Sequence, residues 1–345
     1  IGSTILSDSG KDGLLKLTGA GKKTFGLAVG ATNELAQIST AAGTSAEFNA
    51  ATDSVLLTNA GTTQFDAATL VTTVANANTG TVKFNHTTAG VAGSTTITNT
   101  GASATIDLNS DAARALTMIV ISTADKDGIM NIADSSADAA AAVQTISGVV
   151  GVVNKSLGAM NIGTATTNGS ADLTLASFTD ALTMTGGNHV DEDSLLDLAV
   201  GMTTSTISMV RGVGGNKISL TSTGANVLVG DITGSGAATT VTNLNEIHLD
   251  SGGNTSTWAY AGDVSGQDLL FVDVGDTITY TGSSLAATNI ELKTNTADFT
   301  LGNRAGDQTI TANFVATADN QGLIVNNNAA NLVTIDGNVG ASEVR

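Results

Sequence analysis

Apolar and polar residues alternate along much of this chain in short runs, and clusters of Gly, Asn, Asp and Ser separate the runs. Residues 95–99, 217–222 and 308–315 are examples, in which Thr, Ser or Asn fills positions between aliphatic ones. A period of two residues is typical of a β-strand with one buried face, and the turn-forming clusters recur roughly every 9 to 12 residues. The pattern predicts an all-β protein made of many short strands.

Composition favours a β-solenoid over a β-sandwich. Aromatic residues make up only 3% of the chain, 40 residues are Gly and none is Pro. A solenoid has a narrow core of thin layers that small aliphatic side chains can fill, and most of its strands are paired on both sides, which excludes Pro. Because the sequence has no repeat of fixed length, we predict an irregular β-solenoid (β-helix), with β-sandwich domains as the alternative.

The predicted architecture is one elongated β-rich body over residues 1–345, with a domain boundary near residues 134–160. One segment departs from strand chemistry. Residues 135–146 contain four consecutive alanines, which favour a helix, and Asp138 lies near the start, where an acid interacts favourably with the helix dipole. We therefore expect one short helix near 135–146.

The chain carries 31 acidic and 13 basic residues, which gives a formal net charge of -18. This charge repels nucleic-acid phosphates and anionic membrane surfaces, so neither is an expected partner. The absence of Cys excludes disulfides, thiolate metal sites and a cysteine nucleophile. No stretch approaches about 18 consecutive apolar residues, so we expect no transmembrane segment. Since the chain begins without Met and without a signal-peptide pattern, we expect a processed product or a fragment of a larger precursor.

One sequence phrase resembles bacterial autotransporter passenger domains. Residues 13–26 read GLLKLTGAGKKTFG, a G-x-L-x-L-x-G-x-G pattern followed by T-F, and similar phrases return at 218–224 and 333–340. The overall character is similar to that of rickettsial-type surface-layer proteins. The resemblance implies a secreted β-helical passenger that serves in surface coating, adhesion or lattice assembly.

Acidic clusters beside Gly or Ser are the candidates for a bound ion. Calcium takes several oxygen ligands on flexible turns, and such turns supply carboxylates and free backbone carbonyls. The predicted calcium ligands are Asp125, Asp127, Asp191, Glu192, Asp193, Asp263 and Asp268. The alternative interpretation of each cluster is a solvated turn.

Trp258 and Tyr260 form the one local aromatic pair, and their spacing directs both rings to the same face of a strand. We predict that this pair contacts a glycan or forms an interface, with packing as the alternative. His86, His189 and His248 lie far apart in the sequence without a nucleophile elbow, so we interpret them as surface or structural residues. The sequence therefore predicts no catalytic site.

These observations together predict a structural, non-enzymatic protein of the bacterial cell surface or the extracellular space. It would be a surface-layer, fibre or autotransporter passenger segment that self-associates into a filament or lattice, with calcium as a possible cofactor. One alternative is a carbohydrate-binding adhesin module that recognises a host or cell-surface glycan. A second alternative is a β-helical polysaccharide-degrading enzyme that uses paired carboxylates.

Overall fold

A computed structural model describes residues 1–85, 95–110, 112–134, 142–187, 193–235, 244–252, 254–273, 275–329 and 331–340. The chain is an all-β solenoid of about 13 turns built from parallel sheets, which confirms the predicted fold class. The described residues contain no helix, and so none that could cross a membrane. The chain divides into two compact units, residues 1–163 with 169–180 and residues 164–168 with 181–345.

The strands of the first unit are short, from three to nine residues each. They are β1 (Asp12–Leu17), β2 (Gly21–Phe25), β3 (Leu35–Thr40), β4 (Thr44–Phe48), β5 (Thr52–Asn59), β6 (Thr62–Phe65), β7 (Thr69–Ala77), β8 (Thr81–Phe84), β9 (Thr95–Thr100), β10 (Thr105–Asn109), β11 (Arg114–Leu116), β12 (Met118–Ser122), β13 (Asp127–Ala133), β14 (Val143–Ile146), β15 (Leu157–Ile162), β16 (Ser170–Leu173) and the beginning of β17 (Ser177–Thr185).

Successive coils of the first unit stack in parallel. Strands β1, β3, β5, β7, β9 and β12 form the first sheet. Strands β2, β4, β6, β8, β10, β13 and β15 form the second sheet. Strand β14 pairs with both β11 and β16. An inner strand of such a stack is hydrogen-bonded on both sides, which is the physical reason that Pro is excluded.

The core of the first unit is built from columns of like side chains. Phe25, Phe48, Phe65 and Phe84 share one register position on neighbouring strands of the second sheet and are buried. Their ring centroids are 4.7, 5.4 and 5.7 Å apart in succession. In-register parallel strands about 4.8 Å apart bring equivalent residues into contact, so a repeated residue forms a stack.

A buried polar ladder runs along the ends of the first-sheet strands. Asn59, Asn76 and Asn99 occupy one register position, and each is fully buried. The Asn59 amide donates to the Asn76 side-chain oxygen over 3.0 Å, and the Asn76 amide donates to that of Asn99 over 3.1 Å. The first pair is 17 residues apart in sequence and the second is 23, so the coils differ in length, as predicted for an irregular solenoid.

The second unit contains the end of β17 and the remaining strands. They are β18 (Ser194–Leu198), β19 (Met202–Val210), β20 (Asn216–Leu220), β21 (Gly224–Ser235), β22 (Asn245–Leu249), β23 (Ser256–Ala261), β24 (Val264–Val272), β25 (Thr277–Tyr280), β26 (Ser284–Leu292), β27 (Asp298–Leu301), β28 (Gln308–Ala316), β29 (Leu323–Asn326) and β30 (Val333–Ile335). Even-numbered strands from β18 pair in series, and odd-numbered strands from β19 do the same.

The prediction of a helix near 135–146 is wrong over Val143–Ile146, which is strand β14. Pairing with two neighbouring strands satisfies the backbone of this segment, and Val, Thr and Ile have high β-propensity. Helix propensity is a weak prior that such tertiary pairing overrides. Residues 135–141, which hold most of the alanine run, lie outside the described residues.

The predicted boundary at residues 134–160 falls in the part of the chain assigned to the first unit. The two units divide between residues 163 and 181 instead. The prediction of a single elongated body stays a prediction.

Candidate functional site

A group of ionisable and aromatic side chains lies on the outer face of the even-numbered sheet of the second unit. In β22 the apolar residues Ile247 and Leu249 are buried, so Glu246 and His248 between them face outward. In β24, Phe271 faces outward by the same alternation, and the strand register places it beside His248. We call Glu246, His248, Phe271, Asp273 and Lys293 the Phe271 patch.

The contacts of the Phe271 patch centre on the phenyl ring. The imidazole of His248 lies 5.0 Å from the Phe271 ring centroid, and the Lys293 Nζ lies 5.4 Å from it. The His248 Nε2 is 2.8 Å from a Glu246 carboxylate oxygen, and Lys293 forms an ion pair of 3.1 Å with Asp273. The Lys293 ammonium thus lies over the apolar ring and the His248 imidazole lies beside it, and a carboxylate contacts each of these two groups.

Asp193 lies close to this patch and has an altered acidity. Burial raises the pKa of Asp193 to about 6, and the negative charge of Glu246 adds to the effect. A backbone hydrogen bond from Gly215 to the Asp193 carboxylate, 3.0 Å long, acts in the opposite direction, as do Lys217 and His248. The Asp193 carboxyl group therefore holds its proton more tightly than an exposed aspartic acid does.

The predicted calcium ligands are distributed over separate turns. Asp125 accepts hydrogen bonds from the backbone and hydroxyl of Ser156, 31 residues away, and these bonds lower its pKa. Asp263 accepts from the backbone N–H groups of Ser283 and Ser284 at 2.7 and 3.0 Å. Burial opposes the ionisation of Asp263, but these bonds and the Ser283 hydroxyl outweigh it and lower the pKa.

Two further predicted ligands are also engaged within the solenoid. Asp268 pairs with the largely buried guanidinium of Arg211 and accepts the backbone N–H of Asn245 over 2.7 Å. Asp127 begins β13, and its backbone carbonyl accepts the Ser122 hydroxyl over 2.6 Å. Asp191 and Glu192 lie outside the described residues.

Four predicted ligands therefore share a structural role, since Asp125, Asp193, Asp263 and Asp268 each accept a backbone N–H from a neighbouring coil. Within the described part of the chain, no three His, Cys, Asp or Glu side chains gather as metal ligands. Calcium binding stays a prediction.

The prediction that Trp258 and Tyr260 contact a glycan or form an interface is wrong, because both side chains are buried in the core of the second unit. Trp258 is 0% exposed and Tyr260 is 4% exposed. The Tyr260 hydroxyl donates to the Gly230 carbonyl over 2.7 Å, and the Tyr260 ring stacks on Tyr280 with centroids 5.8 Å apart. The two rings share one face of β23, as predicted, but that face is the inner one.

Sequence reasoning did not single out Phe271 or Lys293. One signal was present, because the buried neighbours Leu270 and Val272 leave Phe271 on the outer face. The proximity of Phe271 to His248 can be recognised only from the register between β22 and β24, which cannot be read from the sequence. His248 is a surface residue held by Glu246, whereas His86 and His189 lie outside the described residues.

Comparisons of the chain with models of protein families, with curated proteins and with solved structures found no match.

Proposed function

We propose that the protein is a structural segment of the bacterial cell surface or the extracellular space, of the surface-layer or passenger kind, which acts by self-association and contact. One observation carries this proposal: outward side-chain positions recur in register from coil to coil, whatever residue occupies them. In the second sheet of the first unit, one outward column consists of Thr24, Glu47, Gln64, Lys83, Asp107, Asn131 and Asn161.

Hydrogen bonds and ion pairs connect the members of this column. Asn161 donates to Asn131 over 2.8 Å, Asn131 donates to Asp107 over 2.7 Å, and Lys83 pairs with Asp107 at 3.5 Å. The spacing between members is that of neighbouring strands, about 4.8 Å. A surface that repeats at a fixed spacing offers many weak contacts at once, which favours a partner that also repeats, such as another copy.

The acidic charge supports a role for divalent cations in this association. A chain with a net charge of -18 repels its copies, so contact needs screening or neutralisation. Salt screens all exposed charges over a Debye length of about 8 Å, whereas calcium bridges only where oxygen ligands converge. Asp125 and Asp263 are exposed, so calcium could reach their carboxylates in addition to the hydrogen bonds that these accept from Ser156 and Ser283.

The experiment is sedimentation velocity with negative-stain imaging of the purified chain, in millimolar calcium, in sodium chloride of equal ionic strength, and in excess chelator. We expect filaments, sheets or ordered clusters in calcium and mostly monomer in chelator. Assembly that is unchanged in chelator would remove calcium from the proposal. A protein that stays monomeric in every condition and at every concentration would refute self-association itself.

The second candidate function is carbohydrate contact, and the Phe271 patch favours it. Among the aromatic side chains that the structure describes, Phe178 and Phe271 are half-buried and the others are buried. Phe271 combines an outward ring with nearby donors and acceptors, as sugar-binding sites do, and the flexible Lys293 side chain that lies over the ring would move aside for a sugar. Isothermal titration with dextran, xylan and polygalacturonate tests this candidate: Phe271→Ala should abolish any binding and Phe178→Ala should retain it. Equal binding by both variants would exclude the patch.

A further inference from the structure

Two outward columns on the first sheet of the first unit carry no charged side chain across five consecutive strands, β3, β5, β7, β9 and β12. One column consists of Gln37, Leu56, Thr73, Thr96 and Ile119, and the other consists of Ser39, Thr58, Ala75, Thr98 and Ile121. All ten residues are half-buried in the unit. We call this surface the uncharged face. Asp53, at the beginning of β5, lies outside these two columns.

The second sheet of the same unit provides the contrast. One of its two outward columns contains Glu47, Lys83 and Asp107, and Lys22 in the other column pairs with Glu47 at 2.8 Å. Both faces belong to one acidic chain and are built from the same kind of strand. The difference between them is therefore one of side-chain chemistry and not of backbone geometry.

The uncharged face rests on a well-fixed support. The buried side chains between the outward columns include Ile38, Leu57, Val74 and Ile97, and each is 0% exposed. The asparagine ladder at the ends of these strands ties successive coils together. A surface that is already ordered loses little conformational entropy when it binds a partner.

Charged residues border the uncharged face. Lys16 on β1 is next to Ser39 in register, at one end of a column. Glu34 and Asp53 lie at the beginnings of β3 and β5; burial raises the pKa of Asp53, and the nearby charge of Glu34 adds to this. An uncharged centre with a charged rim is the usual anatomy of a protein–protein interface.

From this chemistry we infer that the uncharged face is where two copies of this chain associate. The inference rests on the proposed function and specifies its contact surface. Two like-charged proteins approach most easily through surfaces that carry no charge, because no ionic group must then be desolvated or opposed by its own copy. A second copy offers an identical face of Thr, Ser and aliphatic groups, as a two-fold interface requires.

The size of the face sets the expected strength of association. Five strands spaced about 4.8 Å apart, with about five residues each, present roughly 300 to 400 Å². A stable pair buries about 800 Å² on each partner. We therefore expect weak pairing in isolation, which becomes strong when many copies or calcium bridges act together.

The test compares two pairs of threonines, each on neighbouring strands in register. Thr73→Lys with Thr96→Lys places charge on the uncharged face, and Thr62→Lys with Thr81→Lys is the matched control on the second sheet. Both variants lower the net negative charge by the same amount, so weaker association cannot come from overall repulsion. Sedimentation equilibrium of the full chain in calcium should show at least ten-fold weaker association for the first variant and a change within two-fold for the control.

A labelling experiment gives a second readout with minimal disturbance. The chain has no Cys, so Thr96→Cys and Thr81→Cys each provide a single thiol. The maleimide labelling rate should fall with protein concentration for Thr96→Cys and stay constant for Thr81→Cys.

The outcomes distinguish the inference from the proposed function. If the wild-type chain associates and the two double-lysine variants associate as strongly as each other, the uncharged face is not the interface. Self-association itself would still stand. If the wild-type chain does not associate at all, both fail. If the wild-type chain stays monomeric and Thr73→Lys with Thr96→Lys weakens binding to dextran or xylan, the face takes a glycan and the inference is overturned.

Discussion

Asn76 donates a hydrogen bond from its side-chain amide to the side-chain oxygen of Asn99 on the next coil, and both residues are fully buried. The same amide also donates to the Thr105 carbonyl over 3.1 Å, while the Asn76 oxygen accepts from Asn59. Asn76 is therefore the middle of a chain of hydrogen bonds that joins three coils. Buried networks of this kind fix the register of coils. The network ends at Asn99, whose side-chain amide nitrogen is buried without a hydrogen-bond partner.

Replacing the middle residue should destabilise the first unit strongly. Asn76→Ala leaves the Asn59 amide without its side-chain acceptor and the Asn99 oxygen and Thr105 carbonyl without their donor, which we expect to cost about 2 to 4 kcal/mol. The matched control is Asn161→Ala, which removes a half-buried ladder member with one bond to Asn131 and should cost under about 1 kcal/mol. Urea unfolding of both variants measures the difference. Equal urea midpoints for the two variants would show that the buried asparagine ladder contributes little to the stability of the first unit.

Two buried glutamines in the second unit make a similar comparison. Gln308 donates to the Tyr280 and Gly282 carbonyls and accepts from Asn328, whereas the side-chain oxygen of Gln267 is buried without a hydrogen-bond partner. Met has a similar volume and no strong polar group. Gln308→Met should cost about 2 kcal/mol or more, and Gln267→Met should be neutral or stabilising. A larger loss of the urea midpoint for Gln267→Met than for Gln308→Met would contradict this expectation.

Local patterns predicted the strands well. The alternating segments at 95–99, 217–222 and 308–315 correspond to β9, β20 and β28 to within two residues at each end. The period-two alternation of apolar residues and the absence of Pro are properties of each strand and its immediate neighbours. Both can therefore be recognised without knowing which residues pair between coils. The burial of Trp258 could also have been recognised, because Thr257 and Ala259 place the polar and small side chains on the opposite face.

Contacts between coils could not be predicted from the sequence. Asn59 meets a residue 17 positions later, Asn76 one 23 positions later, and Asn216 one 29 positions later. Because coil length varies, sequence spacing does not show that Asp125 accepts from Ser156 or that His248 lies beside Phe271. For the same reason, sequence spacing does not show that four of the predicted calcium ligands accept backbone N–H groups from neighbouring coils.

Asp193 predicts a pH dependence with a definite sign. Its pKa is raised to about 6, above the unfolded value of about 3.9, so the folded protein holds this proton more tightly. The contribution of Asp193 to stability is then present at low pH and lost as the pH rises through about 6. Asp193→Asn should consequently gain stability relative to the wild type between pH 4 and pH 7, measured by urea midpoints.

The control for this titration is Asp125→Asn. Hydrogen bonds from Ser156 lower the pKa of Asp125, so its contribution is present above the unfolded value and lost only as the pH falls below about 4. The difference between Asp125→Asn and the wild type should therefore stay constant from pH 5 to pH 7. A constant difference for Asp193→Asn over the same range would show that Asp193 ionises normally.

Close approach of the coils makes Gly148 in the first unit intolerant of any side chain. A Cβ added at Gly148 would lie 1.6 Å from the Met118 carbonyl oxygen, a backbone atom of the neighbouring coil, so the backbone itself would have to move. At Gly26 the same atom would meet nothing within 4 Å, and the backbone does not adopt a positive φ. Gly148→Ala should cost about 3 kcal/mol or more. Gly26→Ala should be neutral or slightly stabilising, since it reduces the freedom of the unfolded chain. Thermal unfolding by circular dichroism compares the two variants, and equal melting temperatures would mean that the coils around Gly148 are not packed as closely as the structure places them.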